Sequence, residues 1–329
     1  MVTLRRPSLG ELHDLYWNKG LSTRALAREF GTHQKTVLQW MSNYNIPRRD
    51  RIQAVVKGCS KYVKTPFNGT LQDKAYLLGL SFADLSRRRH GYQVQVAVHT
   101  THPSFGNLFK TSFEKFTHVY ERPRASREKN KYEWELEAFL HPSFDFLLSR
   151  KCTPRWVLQD NSVFMHFLAG YADGEGILSI AKNTERCVAF LFCISSEDKV
   201  ILRSICSKLK SMGFHPSLRK LREAGEINVF NGKISCYTKD FWMLRLKRRK
   251  EVIKLLERLP LKHSEKVRKK QLMLKLRDKV YQKDVENGVL RLKNEIKSEV
   301  LKYKQAAEKA YRAREPNSSR VSSPTPSPC

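Results

Sequence analysis

Glu175 is an acid in an awkward place. It stands in the stretch Phe167-Leu168-Ala169-Gly170-Tyr171-Ala172-Asp173-Gly174-Glu175-Gly176, directly ahead of a strand-like run at 177–181. A helix over 163–174 would leave Glu175 at its C-terminal end, where unpaired carbonyls and the negative pole of the helix dipole already gather. A carboxylate there needs a positive partner, and oxygen ligands of this kind suit magnesium or calcium. Gly170 and Gly174, four apart, share one helix face and allow another backbone to approach closely.

The pattern returns, weakened, 91 residues earlier, where Asp84 stands as Glu175 does. In Asp73-Lys74-Ala75-Tyr76-Leu77-Leu78-Gly79-Leu80-Ser81-Phe82-Ala83-Asp84-Leu85, Leu78 answers Ala169, Gly79 answers Gly170 and Ala83 answers Gly174. Such an offset is a reasonable length for one repeat of a duplicated domain.

The segments that must position these acids also repeat. Residues 91–99 alternate with period two, with Val94, Val96 and Val98 on one face and Gln93, Gln95 and His99 on the other. Phe105, Leu108, Phe109, Phe113 and Phe116 trace a helical stripe. Residues 131–139 alternate again, grouping Tyr132, Trp134 and Leu136 against Glu133, Glu135 and Glu137, and 141–148 reads as a short closing helix. In the later copy 177–182 and 187–194 read as strands. Ser196 can cap a helix through Val200, Ile201, Ile205 and Leu209. Strands at 227–230 and 234–237 and a helix over 242–259 follow. Each copy thus reads helix, two strands, helix, two strands, helix: a duplicated αββαββα domain of α+β class, with repeats at 71–155 and 156–280. A charged helix continues through Ala310, and the Ser/Pro-rich stretch at 318–329 carries no fold signal.

Residues 1–48 form a separate all-α unit. Leu9, Leu12, Leu15 and Tyr16 keep helical spacing. Ser22 can cap a second helix that Gly31 stops, and Thr32 a third with Val37, Leu38 and Met41 inward. Two helices joined by a tight glycine turn resemble a helix-turn-helix. There His33, Gln34, Lys35, Thr36 and Gln39 would face base edges or phosphates. The alternative is a small structural three-helix domain. Residues 49–70, charged and then Gly/Ser/Pro-rich, read as a linker.

Composition narrows the partner. Lys plus Arg number 62 against 32 acids, a net charge of +30, and such an excess most readily serves a polyanion. Nucleic acid fits best: no apolar run reaches membrane-spanning length and no signal-peptide pattern opens the chain, so a cytoplasmic location is expected. The seven cysteines lack any Cys-x-x-Cys pair, so neither a zinc ribbon nor a disulfide framework is expected, and buried thiols are.

The Leu168–Gly176 wording resembles the signature of the LAGLIDADG homing endonucleases, with the domain resemblance covering roughly 66–280. The earlier motif departs from it: Phe82 replaces its first acid and Leu85 its last glycine, while Asp84 is retained. The resemblance implies two motif helices side by side at the centre of a pseudo-two-fold monomer, above a saddle of sheet that holds double-stranded DNA. It implies that Asp84 and Glu175 meet and hold Mg2+ or another divalent cation, with the carbonyls of Ala83 and Gly174 as further ligands. The chemistry would be metal-assisted phosphodiester hydrolysis. A lysine near the metals is implied just before the final helix of a repeat, where Lys266 is the first choice and Lys262, otherwise a DNA contact, the second. Residues 241–280 hold 15 basic residues against four acids, most of which would meet phosphate or solvent. For base readout the candidates are Gln93, Gln95 and His99, then Lys182 and Asn183. The acidic row Glu133, Glu135 and Glu137 is the discordant feature, since it would repel phosphates. Asp173 is expected to pack or cap. The rival readings are a nuclease-inactive DNA-binding regulator or an RNA-splicing maturase on the same fold, and a basic chromatin-like protein, which leaves the duplicated motif unexplained.

Overall fold

The computed structural model describes residues 5–50, 54, 61–126, 131–184, 187–230, 233–277 and 283–314. Its centre is a pair of helices, α4 (Leu71–Ala83) and α7 (Asn161–Glu175), the second preceded by the short α6 (Arg155–Gln159). Thr70 and Asp73 close a reciprocal capping box at the start of α4, and the Asp160 carboxylate accepts from the Val163 N–H at the start of α7. Nearly every side chain of both helices is buried, from Ala75 to Phe82 and from Val163 to Asp173.

Glycine makes the pairing possible. A Cβ at Gly79 would lie 2.1 Å from the Phe167 carbonyl oxygen, and one at Gly170 2.0 Å from that of Tyr76. The two contacts are reciprocal: Gly79 meets Phe167 and Tyr171, and Gly170 meets Tyr76 and Leu80, each pair 91 residues from its counterpart. At Gly174 a Cβ would strike the Ala83 methyl at 2.4 Å. The close approach expected from glycines four apart is therefore present along the whole helix pair.

Around the pair lie two four-stranded antiparallel sheets in a mixed α/β arrangement. The first orders β1 (Ser86–His90), β2 (Gln93–Thr100), β4 (Tyr132–Leu140) and β3 (Val119–Ala125), with α5 (Pro103–Phe113) between β2 and β3. The second orders β5 (Gly176–Thr184), β6 (Cys187–Ser196), β10 (Phe241–Leu246) and β7 (Ser217–Arg222), with α8 (Lys199–Ser211) between β6 and β7. The hairpin β8 (Ile227–Phe230) and β9 (Lys233–Cys236) pairs only with itself, between β7 and β10.

Several expectations need correction. The stretch 242–259 is not one helix. Phe241 to Leu246 is a strand of the second sheet, between β6 and β7, because Leu244 and Leu246, two apart, both reach the core, and helix α9 (Arg249–Arg258) begins only afterwards. The strands at 227–237, expected to hold that place, form the inserted hairpin. The closing segment Pro142–Leu148 is a short helix as expected, of 3₁₀ type, whereas the cap of α8 is Asp198, not Ser196. The chain does not run on as one helix to Ala310: α10 (Ser264–Lys275) ends before the separate α11 (Lys283–Arg312). Cys193 and Cys206 are buried as expected, but Cys152 and Cys236 are exposed. Residues 318–329 lie outside the described residues.

Helix α11 is more than a charged extension. It lies along β3 and β4, where the Trp134 indole N–H donates to the Tyr303 carbonyl (3.1 Å) and Tyr311 meets Tyr132. Gly106 on α5 leaves the room that the Tyr303 hydroxyl fills. Arg268 on α10 forks onto Glu299 of α11 at 2.8 and 2.7 Å. No helix among the described residues is long and apolar enough to cross a membrane.

The N-terminal residues fold as α1 (Leu9–His13), a π-helical turn (Asp14–Asn18), α2 (Thr23–Glu29) and α3 (Gln34–Asn43) around Leu12, Leu26, Val37, Trp40 and Met41. Ser22 caps α2 and Gly31 turns with φ of 61°, as expected. Thr32 does not cap α3; His33 holds that position without a side-chain bond, and Leu38 is only half-buried.

Candidate active site

The C-terminal ends of α4 and α7 bring Asp84 and Glu175 near enough that the charge of Asp84 acts on Glu175. Helix α4 stops one residue sooner than α7. Asp84 is already its C-cap at φ −110° and ψ −2°, whereas Glu175 is still helical and Gly176 is the cap. Gly176 is extended there, so it is not needed for a left-handed turn. A Cβ on it would instead press on the Ala172 carbonyl at 2.4 Å. Leu85, at the matching position, is buried.

The electrostatics are those of crowded carboxylates. Glu175 is half-buried, and desolvation, then the Asp84 charge, push its carboxyl up to about 7. Asp84 is exposed to the cavity, yet the surrounding walls strip enough water from it to raise its carboxyl too, against the pull of Lys266 and Lys151. Gly174 stands beside it: a Cβ at that position would lie 3.2 Å from Asp84 Oδ2.

Lys266, from the first turn of α10, answers the negative helix end. Its ammonium donates to the carbonyls of Ala172 (2.6 Å), Asp173 (2.7 Å) and Gly174 (2.8 Å). Burial lowers its pKa to about 8, opposed by Asp173 and Asp84. The Gly174 carbonyl, expected as a metal ligand, is thus already bonded to an ammonium, although a carbonyl keeps a second lone pair. Asp173 packs, as expected. It is fully buried, accepting from the Tyr76 hydroxyl (2.5 Å) and the Lys262 N–H (2.7 Å). Phe82, its counterpart on α4, is equally buried, edge-on to Phe167.

Five residues that sequence reasoning missed surround this centre. Lys151 pairs with Asp198 at 2.9 Å, and both act on the Glu175 charge. His102, His263 and Glu265 line a cavity of about 360 Å³ with Asp84, Gly174, His99 and Lys266. Hairpin geometry carried a signal: β1 leaves Asp84 and β2 returns antiparallel to it, so the turn after β2 must land beside the acid. His102 is in that turn, and Asp198 stands at the matching turn after β6.

No family model and no curated protein matches the chain. Among solved structures it is similar to the homing endonuclease I-DmoI in complex with DNA and Ca, at 15% identity over 57% of this chain and 89% of that one, with a TM-score of 0.36. It is also similar to the homing endonuclease I-WcaI bound to its DNA recognition sequence, at 13% identity over 58% and 80%, TM-score 0.40. The N-terminal LAGLIDADG domain of DUF199/WhiA gives 16% identity over 60% and 84%, TM-score 0.40. The neighbours are therefore LAGLIDADG proteins at low identity and partial coverage. Scores this low leave any functional argument to the residues themselves.

The residues expected to read DNA divide. Gln95 is buried, not offered to a ligand: it bonds Arg88 and Glu137, and Glu137 takes Arg122 at 2.8 Å. Gln93 is half-buried and His99 exposed. The acidic row is neutralised within the sheet. His99 Nε2 lies 3.4 Å from Glu135, Arg122 reaches both Glu135 and Glu137, and Arg124 bonds the His99 ring opposite Glu133. Lys182 continues β5, but the side chains of Lys182 and Asn183 lie outside the described residues. Lys262 lies away from the paired acids. Its ammonium sits 4.2 Å above the Tyr76 ring and 3.9 Å from Asp73, near the opposite end of α4 from Asp84. In α3, Gln34 is tied back to Thr23 (2.9 Å) and Arg24, and Gln39 bonds Asn43, while His33 and Lys35 are exposed and Thr36 is half-buried.

The donor set at the helix ends is all oxygen, two mutually repelling carboxylates plus carbonyls, which fits a hard divalent cation. Among the described residues no group of three or more His, Cys, Asp or Glu is arranged as a metal cage. A cation here would complete its coordination with water or substrate oxygen, as magnesium sites ordinarily do.

Proposed function

We propose that this protein is a metal-dependent endonuclease of double-stranded DNA, built on a pseudo-two-fold LAGLIDADG domain with a helix-turn-helix unit at residues 1–48. The observation that carries it is the pair of desolvated carboxylates, Asp84 and Glu175, at two adjoining negative helix ends. Each raises a charge problem that a divalent cation resolves, and the +30 chain supplies the attraction for a polyanion.

Asp84 and Glu175 would hold the cation, with the Ala83 and Gly174 carbonyls as further oxygen donors. When bound, such a cation would supply an activated water and charge stabilisation for phosphodiester hydrolysis. Lys266 fixes the end of α7 through three carbonyls, so the carboxylate that follows is held in place. Its positive charge, beside the acids, would also offset negative charge building on the phosphate. Phosphate contacts come from the basic surface, and Arg122 and Arg124 keep the first sheet acceptable to DNA by neutralising its acidic row. In the helix-turn-helix, His33, Lys35, Thr36 and Gln39 contribute contacts, with Gln34 bracing α3. The chain works as a monomer, since its own halves supply the two-fold.

A binding protein without nuclease activity is the second reading. It is favoured by the Lys266 ammonium standing on the Gly174 carbonyl. Incubation with Mg2+ and a library of long duplexes decides between them. A nuclease cuts at a long asymmetric site and loses cutting, but not binding, on Glu175→Gln. Sequence-specific protection without cutting leaves the binding protein.

A further inference from the structure

Just beyond the paired acids, the starts of two helices interlock. Glu265 Oε1 lies 3.1 Å from His102 Nδ1, the Ser264 hydroxyl bonds that of Ser104 at 2.7 Å, and the His263 ring lies 5.9 Å from Phe105. His102, Ser104 and Phe105 open α5, and His263, Ser264 and Glu265 open α10. The next residue is Lys266, whose ammonium rests on the α7 carbonyls. His102 stands at the N-cap of α5 but makes no side-chain capping bond, so its ring is not used to start the helix.

We propose that His102, oriented by Glu265, is the proton acceptor for the attacking water in phosphodiester cleavage; this rests on the nuclease reading above. Glu265 is 7% exposed, an acid buried against one ring nitrogen, whereas the His102 side chain is 49% exposed. A carboxylate on Nδ1 fixes the tautomer with Nδ1–H toward the acid and leaves the Nε2 lone pair for the cavity shared with Asp84. As the water oxygen bonds to phosphorus, Nε2 takes its proton and the ester oxygen departs with the electron pair of the breaking P–O bond. Solvent protonates that oxygen, and the imidazolium, paired with Glu265, returns its proton through its exposed edge.

The matching junction in the other half cannot do this. There the N-cap of α8 is Asp198 and its partner is Lys151, an ion pair with no imidazole between them. The two flanks of the acid pair therefore differ in chemistry. The charged and titratable groups facing His102 are Glu265, His263, Lys266 and Lys269 of α10 and its approach, with His99 of β2 and Asp84 across the cavity.

Hydrolysis of bis(p-nitrophenyl) phosphate with Mg2+ or Mn2+ tests this without a known DNA target. It is followed between about pH 5.5 and 9 for the parent, His102→Gln, Glu265→Gln, the double variant and Glu175→Gln. His102→Gln should lose about 10²-fold and flatten the acid limb of the pH profile, and the double variant should be no slower than His102→Gln alone. Nitrogen NMR of the metal-free protein should show His102 protonated at Nδ1, and Glu265→Gln should mix the tautomers. A parent-like rate and pH profile in His102→Gln, with Glu175→Gln inactive, overturns the proposal and leaves the nuclease reading standing. An Nε2–H tautomer overturns it whatever the activity. A parent no faster than Glu175→Gln removes the nuclease reading and this proposal together.

Discussion

Replacing Glu175 by Gln should make the metal-free protein more stable. An open-chain glutamate titrates near 4.5, and the fold pushes this one up to about 7, chiefly by burial and the Asp84 charge. The folded state therefore binds the proton more tightly than the unfolded chain does. The stability this gives is fully present below pH 4.5 and is lost as the pH rises through 7. The difference corresponds to about 3 kcal/mol between the two ends of that window. Gln is neutral throughout and cannot lose it, though it matches the carboxyl shape imperfectly, so about 2 kcal/mol should be gained at pH 8. For a protein of 329 residues that is about 3 °C in melting temperature. Thermal melts by circular dichroism in EDTA, at pH 5 and pH 8, measure it. The two proteins should melt together at pH 5 and separate at pH 8, and Mg2+ should raise the parent alone. A Glu175→Gln protein less stable than its parent at pH 8, or an equal difference at both pH values, would refute the crowded-carboxylate account.

Other perturbations probe the frame around the acids. Gly170→Ala or Gly79→Ala puts a methyl onto a facing carbonyl and should cost about 3 kcal/mol or more in urea unfolding; an unchanged midpoint would deny the backbone contact. Lys266→Met should slow cleavage by about 10²-fold while fluorescence anisotropy finds DNA affinity nearly unchanged; parallel loss of both would make it a phosphate contact. Tyr76→Phe strips a buried donor from Asp173 and should cost about 1–3 kcal/mol by denaturant titration. Arg122→Ala removes the arginine from both Glu135 and Glu137, leaving them His99 and Gln95, so binding to duplex DNA should weaken more than the loss of an exposed lysine such as Lys131 would produce, measured at one salt concentration.

The centre of the molecule was readable because its rules are local. Glycines four apart, an acid after the last turn and alternation in the following strands determined the helix pair, Gly174 beside Asp84, and β2, β5 and β6, whereas β1 and β3, Arg-rich and without an alternating apolar face, went unread. What failed depends on partners distant in sequence. Residues 241–246 hold good helix formers next to aromatic ones, and only pairing with β6 and β7 makes them a strand. Gln95 looked free because alternation gives its face but not its neighbours, and Glu137, 42 residues later, takes its amide. The acidic row looked hostile to DNA for the same reason, since Arg122 and Arg124 reach it only through the β3–β4 register. His102 and Glu265 are 163 residues apart, and no spacing rule joins them.

The reciprocal glycine contacts have a consequence for how the chain is made. Helix α4 buries Tyr76, Leu77, Leu80 and Phe82 in a core completed by α7, whose last residue follows Asp84 by 91 positions. At about 5–20 residues per second, a ribosome needs roughly 5–20 s to add that length. Throughout this interval the nascent first half shows an apolar helix with a glycine-lined groove and no partner of its own. A second nascent chain on the same message carries the same groove. Slow codons or a stalled ribosome between residues 84 and 175 would lengthen that exposure, and soluble yield should fall with the pause.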